Sequence, residues 1–253
     1  MKQNGLKPAS SSHLNPQASG LSTKVRTYLK LGRVSNLPTV WTNTISGVIL
    51  AGGSLQSDQL PTLLLSFTLF YTGGMFLNDA FDREADARTR PDRPIPSGLI
   101  TTAEVFGAGF VMMATGALIV ILSGAYAVKA AASATALVAA IIGYDAYHKQ
   151  NPLGPWVMGV CRALIIVTAA VSVTGNINAG TAGGTAALLL YVTGVTYLAK
   201  HKRASSNTVS RLIAAISLLD AFLMAVCGDA GVAGLAVLGY AVTLAWQRLV
   251  EGT

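Results

Sequence analysis

The sequence predicts an all-α fold: a polytopic transmembrane helical bundle of about eight spans, with both termini in the cytosol. Three observations carry that prediction. The 253 residues are 52% hydrophobic and only 11% charged, against roughly 25% charged in a typical soluble domain, and the mean hydropathy is +0.52. Apolar stretches recur along the chain, each near the ~20 residues that cross a hydrocarbon core. Basic residues concentrate in alternate connecting segments. A span must satisfy its own backbone in lipid, and runs of ~20 residues are too long for barrel strands, so helix is selected. The length suits one bundle, expected over 25–250, with no sizeable second domain.

Residues 1–24 are polar, hold Pro8, Pro16 and a Ser10–Ser12 run, and lack acids. They read as a disordered cytosolic tail, or as a targeting presequence of similar composition. A basic collar comes next, with Lys24, Arg26, Lys30 and Arg33. The expected spans are then 35–53, 61–79, 102–122, 126–144, 155–174, 183–199, 208–226 and 231–248.

Of the 18 basic residues, 16 fall on one side of that layout, with Lys129 on the other and Arg162 inside the fifth span. An even number of spans with cytosolic termini requires this alternation. The chain therefore reads as a multi-pass integral protein of a bacterial plasma membrane or an organelle membrane. The net charge of +7 faces lipid headgroups of the bilayer and does not imply nucleic acid. Cys161 and Cys227 both lie in apolar spans and read as small core residues.

Four of the eleven acidic residues crowd into Asn78–Asp86, directly behind the second span. At 100° per residue, Asp79, Asp82 and Asp86 share an arc of about 60°, bordered by Asn78, while Glu84 points away. A lone acid there would merely solvate a helix end. Three on one face repel one another unless a cation joins them. Hard Asp oxygens with no His or Cys nearby favour Mg²⁺, which takes its remaining ligands from water and substrate phosphates. The implied partner is a diphosphate arriving from the cytosol. The next loop, Arg88–Gly98, is stiffened by Pro91, Pro94 and Pro96 and is strongly basic. Some of its arginines set topology. Arg93 is the first choice to neutralise a leaving diphosphate.

Together these residues resemble the UbiA superfamily of intramembrane prenyltransferases. Asn78 to Asp86 match its N-D-x-x-D-x-x-x-D motif, Arg93-Pro94-Ile95-Pro96-Ser97-Gly98 resembles the segment just C-terminal to that motif in the family, and Leu31 to Asn43 resembles the first-helix entry. The likeness covers roughly residues 30–250 and is strongest up to residue 100. It is nearest to a short branch, the EboC-like group. The resemblance implies a nine-span bundle around a cavity in which Mg²⁺ on Asp-rich motifs holds a polyprenyl diphosphate. The diphosphate leaves, and an aromatic or other small nucleophilic acceptor attacks the allylic cation. By position, Asp79, Asp82 and Asp86 would hold metal, Asn78 and Asn43 would orient ligands, and Arg33 and Arg93 would contact diphosphate. Tyr144 and Lys149 match a Tyr- and Lys-containing segment of the family and serve equally well as interfacial anchors.

The chain also departs from the pattern. Where a second Asp-rich motif is expected, it reads Ala199-Lys200-His201-Lys202-Arg203, with no acid. Either Lys202 and Arg203 hold the diphosphate directly or a second metal is absent. Arg162, alone in its span, needs a partner, and Asp220 is the candidate; the pair is structural or lines the substrate cavity. Gly73 and Gly74 suit close helix packing. The alternative function is a non-catalytic transporter of lipids or small molecules on the same scaffold. A soluble isoprenoid synthase is excluded by the spans, and the D-G-x-x-A-R start of phosphatidyl-alcohol transferases is absent.

Overall fold

The computed structural model describes residues 20–123, 126–149, 151–227 and 229–250. Residues 1–19 of the expected tail lie outside them. Helix α1 (Gly20–Leu31) leads into a 3₁₀ turn (Val34–Asn36) and α2 (Leu37–Leu50). The long α3 (Leu60–Thr89), α4 (Thr102–Ser123), α5 (Ala127–Tyr147), α6 (Gly154–Thr174) and α7 (Ala179–Lys200) come next. Then α8 (Ser206–Ala214) runs through a one-residue break at Ala215 into α9 (Ile216–Cys227), and α10 (Ala230–Gln247) ends the bundle. Among the described residues there is no strand.

Local signals set these ends. Pro38, Pro61 and Pro155 occupy first-turn positions of α2, α3 and α6, where a missing N–H costs nothing. Side-chain oxygens of Asn178, Ser205 and Asp229 accept backbone N–H bonds at the starts of α7, α8 and α10, satisfying otherwise orphaned donors. Gly175, at φ 70°, ends α6 in the left-handed conformation.

Among the described residues, seven helical segments are long and apolar enough to cross a membrane: α3, α4, α5, α6, α7, the α8–α9 pair and α10. The first expected span, 35–53, differs. Only 14 residues of it form α2, and 12 of those are buried. The helix is central, packed against α3, α6, α7, α9 and α10. Small and hydroxylated residues make that possible. A Cβ on Gly47 would stand 2.8 Å from the Ile166 carbonyl oxygen, and Thr44 returns its hydroxyl hydrogen to the Val40 carbonyl at 2.8 Å, hiding its polarity within the helix. Gly73 plays the same part between α3 and α4, where a Cβ would meet the Gly109 carbonyl at 2.9 Å. The outer faces carry large exposed apolar side chains such as Leu122 and Phe222, as a lipid-facing surface requires.

The connections put two kinds of end on the bundle. One holds the C-termini of α3, α5, α7 and α10; the other holds the C-termini of α2, α4, α6 and α9. At this second end, the Lys129 ammonium donates to the Gly175 carbonyl at 2.6 Å, capping α6. Cys227 is also there and is exposed, whereas Cys161 is buried; only the second matches the expected core placement. Helix α1 lies at the first end. Its Tyr28 ring stacks on Phe76 at 5.9 Å, and its hydroxyl donates to Glu104. That bond, with a lesser contribution from burial, raises the Tyr28 phenol above its ordinary pKa.

Candidate active site

Helix α3 does not stop where its apolar run ends. It continues to Thr89, so Asn78–Asp86 form about two helical turns at the first end of the bundle, and Arg88 belongs to the helix instead of the loop. Asp79 and Asp86 are buried and Glu84 is exposed, as the helical arc requires. Beyond it, backbone bonds from Arg93 to Arg90, Ser97 to Arg93 and Gly98 to Ile95 wind the proline-rich segment into successive turns. Gly98 takes φ 75° there, a value that only glycine adopts without strain. The result folds Arg93 back over α3.

The three carboxylates, expected on one helical face as ligands of a shared metal, divide two and one in their partners. Arg93 Nη1 lies 3.0 Å from Asp79 Oδ1 and 2.7 Å from Asp86 Oδ2. Asp82 turns towards α5, where Lys149 Nζ is at 2.8 Å and His148 Nε2 at 3.6 Å. Among the described residues no three acid, His or Cys side chains close around a common centre. The physical reason is that each acid already has a basic partner from another element. Arg33 is the third of these, with Nη2 3.3 Å from Asp79 Oδ1 and 3.4 Å from Asn78 Oδ1. It makes that reach from a left-handed backbone, φ 42°, which an L-residue with a side chain adopts at a cost of about 1–2 kcal/mol.

Behind this ionic rim lies a cavity of about 760 Å³, within the usual range of ligand sites. Arg33, Arg93, Lys149, Asp82 and Asp86 face it at the rim. Its body is apolar and aromatic, with Phe67, Phe70, Leu137, Ile141 and Ile165 among its walls. Asn78 Nδ2 donates to Asp145 Oδ1 at 3.1 Å, and both residues line the cavity. The Tyr144 ring stacks on His148 at 4.7 Å.

Arg162 lines the deeper wall, its guanidinium 5.5 Å from the Tyr71 ring centre. The expected direct pair with Asp220 is not formed. Asn43 stands between them: Arg162 Nη1 donates to Asn43 Oδ1 at 3.0 Å, and Asn43 Nδ2 donates to Asp220 Oδ2 at 2.7 Å. Thr42 adds a 2.7 Å bond to the same carboxylate, and Thr39 accepts from Arg162 Nη2 at 3.2 Å. Asn43 and Asp220 are therefore a buried support behind Arg162 and do not line the cavity.

A model of the UbiA prenyltransferase family matches residues 39–251. The chain belongs to that family. A digeranylgeranylglyceryl phosphate synthase of Methanothrix thermoacetophila is 45% identical over 76 residues, 30% of this chain and 28% of that protein. One from Natronomonas pharaonis is 34% identical over 143 residues, 56% of this chain and 48% of the other. A 4-hydroxybenzoate octaprenyltransferase of Vibrio atlanticus is 29% identical over 115 residues, 43% of this chain and 40% of the other. The chain thus spans between 28% and 48% of the length of these curated relatives. In shape it resembles a solved digeranylgeranylglyceryl phosphate synthase, with TM-score 0.58 at 19% identity over 90% of both chains. It also resembles a UbiA homologue from Archaeoglobus fulgidus bound to DMAPP and Mg²⁺, with TM-score 0.55 at 15% identity, covering 88% of this chain and 86% of that one. At such identities the likeness establishes the fold.

Within this UbiA-family chain, Asn78, Asp79, Asp86, Arg33 and Arg93 form one connected group, and Asp82 pairs separately with Lys149. Lys202 and Arg203 stand apart. They lie on the exposed turn after α7, with Arg203 5.4 Å from the Tyr197 ring centre, and neither lines the cavity. Lys200, at the end of α7, does line it, and its ammonium holds the His148 and Asn151 carbonyls at 3.0 and 2.6 Å. Lys200, Tyr71, His148 and Asp145 are cavity residues that the sequence does not single out. For Asp145 a signal existed: an acid at the end of an apolar span is costly and marks function by default.

Proposed function

We propose that this protein transfers a prenyl group from a polyprenyl diphosphate to a small nucleophilic acceptor within the membrane. The observation that carries the reading is the cavity: a charged rim opening onto an apolar, aromatic chamber of about 760 Å³. An amphiphile with an anionic head and a hydrocarbon tail matches both parts. The distribution of basic residues supports a rim on the cytosolic side.

Arg33, Arg93, Lys149 and Lys200 bind the diphosphate, Lys200 taking the place expected of Lys202 and Arg203. Charge-assisted bonds to its oxygens stabilise it as the bond to the prenyl carbon lengthens. The apolar walls keep water from the allylic cation, and the Tyr71 and Tyr144 rings stabilise it by cation–π attraction.

The residues at the rim fit Mg²⁺. Oxygens from Asp79 and Asp86 already converge on one cationic nitrogen, Arg93 Nη1, and the donor set is hard oxygen throughout. The three rim acids are balanced by Arg33, Arg93 and Lys149. A diphosphate entering alone would add uncompensated negative charge to a poorly solvated site. Asp79 and Asp86 would hold the ion, with Asp82 joining them once it turns from Lys149; when bound, the ion neutralises the leaving diphosphate.

The test is release of diphosphate from geranylgeranyl diphosphate by purified protein in a lipid extract. We expect release with Mg²⁺, none with EDTA, and at least a hundredfold loss for Asp82→Asn. Equal release by all three samples would overturn the reading. The basic segment Lys200–Arg203, where an acidic motif is expected, favours one alternative, a transporter. That alternative predicts movement of prenyl diphosphate across vesicles with no bond cleaved.

A further inference from the structure

Of the carboxylates that line the cavity, Asp82 and Asp86 are each held by a basic side chain. Asp145 is not, among the described residues. It is 3% exposed, its Oδ1 accepts from Asn78, and its Oδ2 is buried with no hydrogen-bond partner. A buried carboxylate oxygen left unmatched is costly; Asp220 Oδ1 is another, but of the two residues only Asp145 lines the cavity.

The geometry fixes which oxygen is spare. Arg33 only donates hydrogen bonds, and its Nη2 faces Asn78 Oδ1 at 3.4 Å. The amide nitrogen of Asn78 must then face Asp145, as it does at 3.1 Å. Arg33 and Asn78 together orient the carboxylate and leave Oδ2 for something else. Position narrows what that is. Asp145 precedes Lys149 by four residues on α5 and its continuation, about 6 Å nearer the interior of the bundle. Lys149 and Asp145 both line the cavity; with the diphosphate bound at the rim as proposed above, one turn inward is where the prenyl carbon and its attacker would meet. The imidazole of His148, which could also take a proton there, is engaged: Nε2 lies 3.6 Å from Asp82, and Nδ1 is 3.2 Å from the Tyr144 carbonyl.

We propose that Asp145 binds the hydroxyl of an alcohol acceptor and takes its proton during prenyl transfer. This rests on the transferase reading above. The carbon–oxygen bond of the prenyl diphosphate breaks with its electron pair leaving on diphosphate. A lone pair of the acceptor oxygen forms the new carbon–oxygen bond, and the O–H proton passes to Asp145 Oδ2. Asp145 returns it to water at the rim as product leaves. Nothing is oxidised or reduced.

The rival base is the departing diphosphate, and the variants Asp145→Asn and Asp145→Glu separate the two. An asparagine can still accept from Asn78, so the fold survives; a melting temperature within a few degrees of wild type checks this. Purified proteins receive geranylgeranyl diphosphate and Mg²⁺, with a mono-geranylgeranylated glyceryl phosphate as acceptor probe. Diphosphate release without acceptor and prenylated product are measured separately. For Asp145→Asn we expect acceptor-free release and donor KM within about twofold of wild type. Product formation falls by ~10²–10⁴-fold, the usual worth of a general base. Asp145→Glu recovers part of it. Full product formation by Asp145→Asn, or equal loss of product and of acceptor-free release, overturns the assignment. A wild-type protein that releases no diphosphate at all instead overturns the transferase reading, and this role with it.

Discussion

Arg33 concentrates the tension between stability and function in one side chain. Its backbone sits at φ 42°, where glycine is the natural occupant, and its guanidinium reaches both Asn78 and Asp79. Strain of this kind persists at sites where it serves a purpose. The two contributions can be separated by Arg33→Gly. Relief of the left-handed backbone stabilises by about 1–2 kcal/mol. Against this, glycine loosens the unfolded chain and the ion pair with Asp79 is lost, although Arg93 still holds that carboxylate. We expect a melting temperature within a few degrees of wild type and a donor KM raised at least tenfold. A large drop in melting temperature with unchanged KM would make Arg33 a purely structural residue. Much of this rim was legible in the sequence, because Asn78, Asp79, Asp82 and Asp86 are tied by helical periodicity and Arg93 lies at short range beyond them. The division of the acids was not. Asp82 meets Lys149, and Asn78 meets Asp145, through contacts between α3 and the C-terminal end of α5 that no local period encodes.

Among elements, α2 is the least like its sequence expectation and the most constrained. A run of 35–53 promised a span, yet only Leu37–Leu50 is α-helical, about 21 Å of rise. Hydropathy alone does not distinguish lipid-facing from protein-facing burial; the Thr, Ser and Asn residues of α2 were the available clue. They bury Asn43 and Thr42 against Asp220 and place Arg162 on the cavity wall. The sequence suggested Arg162 and Asp220 as partners from the cost of lone charges, but the intervening amide emerges only from tertiary packing. Close approach of α2 to α6 gives a paired test. In Gly47→Ala the new Cβ meets the Ile166 carbonyl oxygen at 2.8 Å and the Ala169 Cβ at 2.9 Å. Overpacking of this kind costs roughly 1–3 kcal/mol. A Cβ added at Gly143 in α5 would meet no atom within 4 Å, and helical Gly→Ala there gains up to about 1 kcal/mol. Thermal unfolding in one detergent should show Gly47→Ala well below wild type and Gly143→Ala at or above it. Equal shifts would mean that α2 and α6 can separate at no cost.

At the scale of the whole molecule, charge and fold divide the bundle the same way. The rim end carries the acids of α3, the arginine loop, Lys149 and Lys200, whereas the opposite end carries Lys129, bound to the Gly175 carbonyl. This asymmetry was readable because basic residues recur at every second connection, and the helix order preserves that alternation in space. It has a consequence for orientation that the native cysteines can report. Cys227 is exposed and ends α9 at the end opposite the rim, beside Gly53 and Asp229. Cys161 is buried within α6. If basic residues hold the rim in the cytosol, a membrane-impermeant maleimide added to intact cells should label Cys227 from outside. Cys227→Ser should abolish that labelling. A cysteine placed at Ser97 in the proline-rich loop, in a Cys227→Ser background, should stay unlabelled until the cells are permeabilised. The reverse pattern would put the rim on the outer face and overturn the cytosolic placement that the basic residues imply.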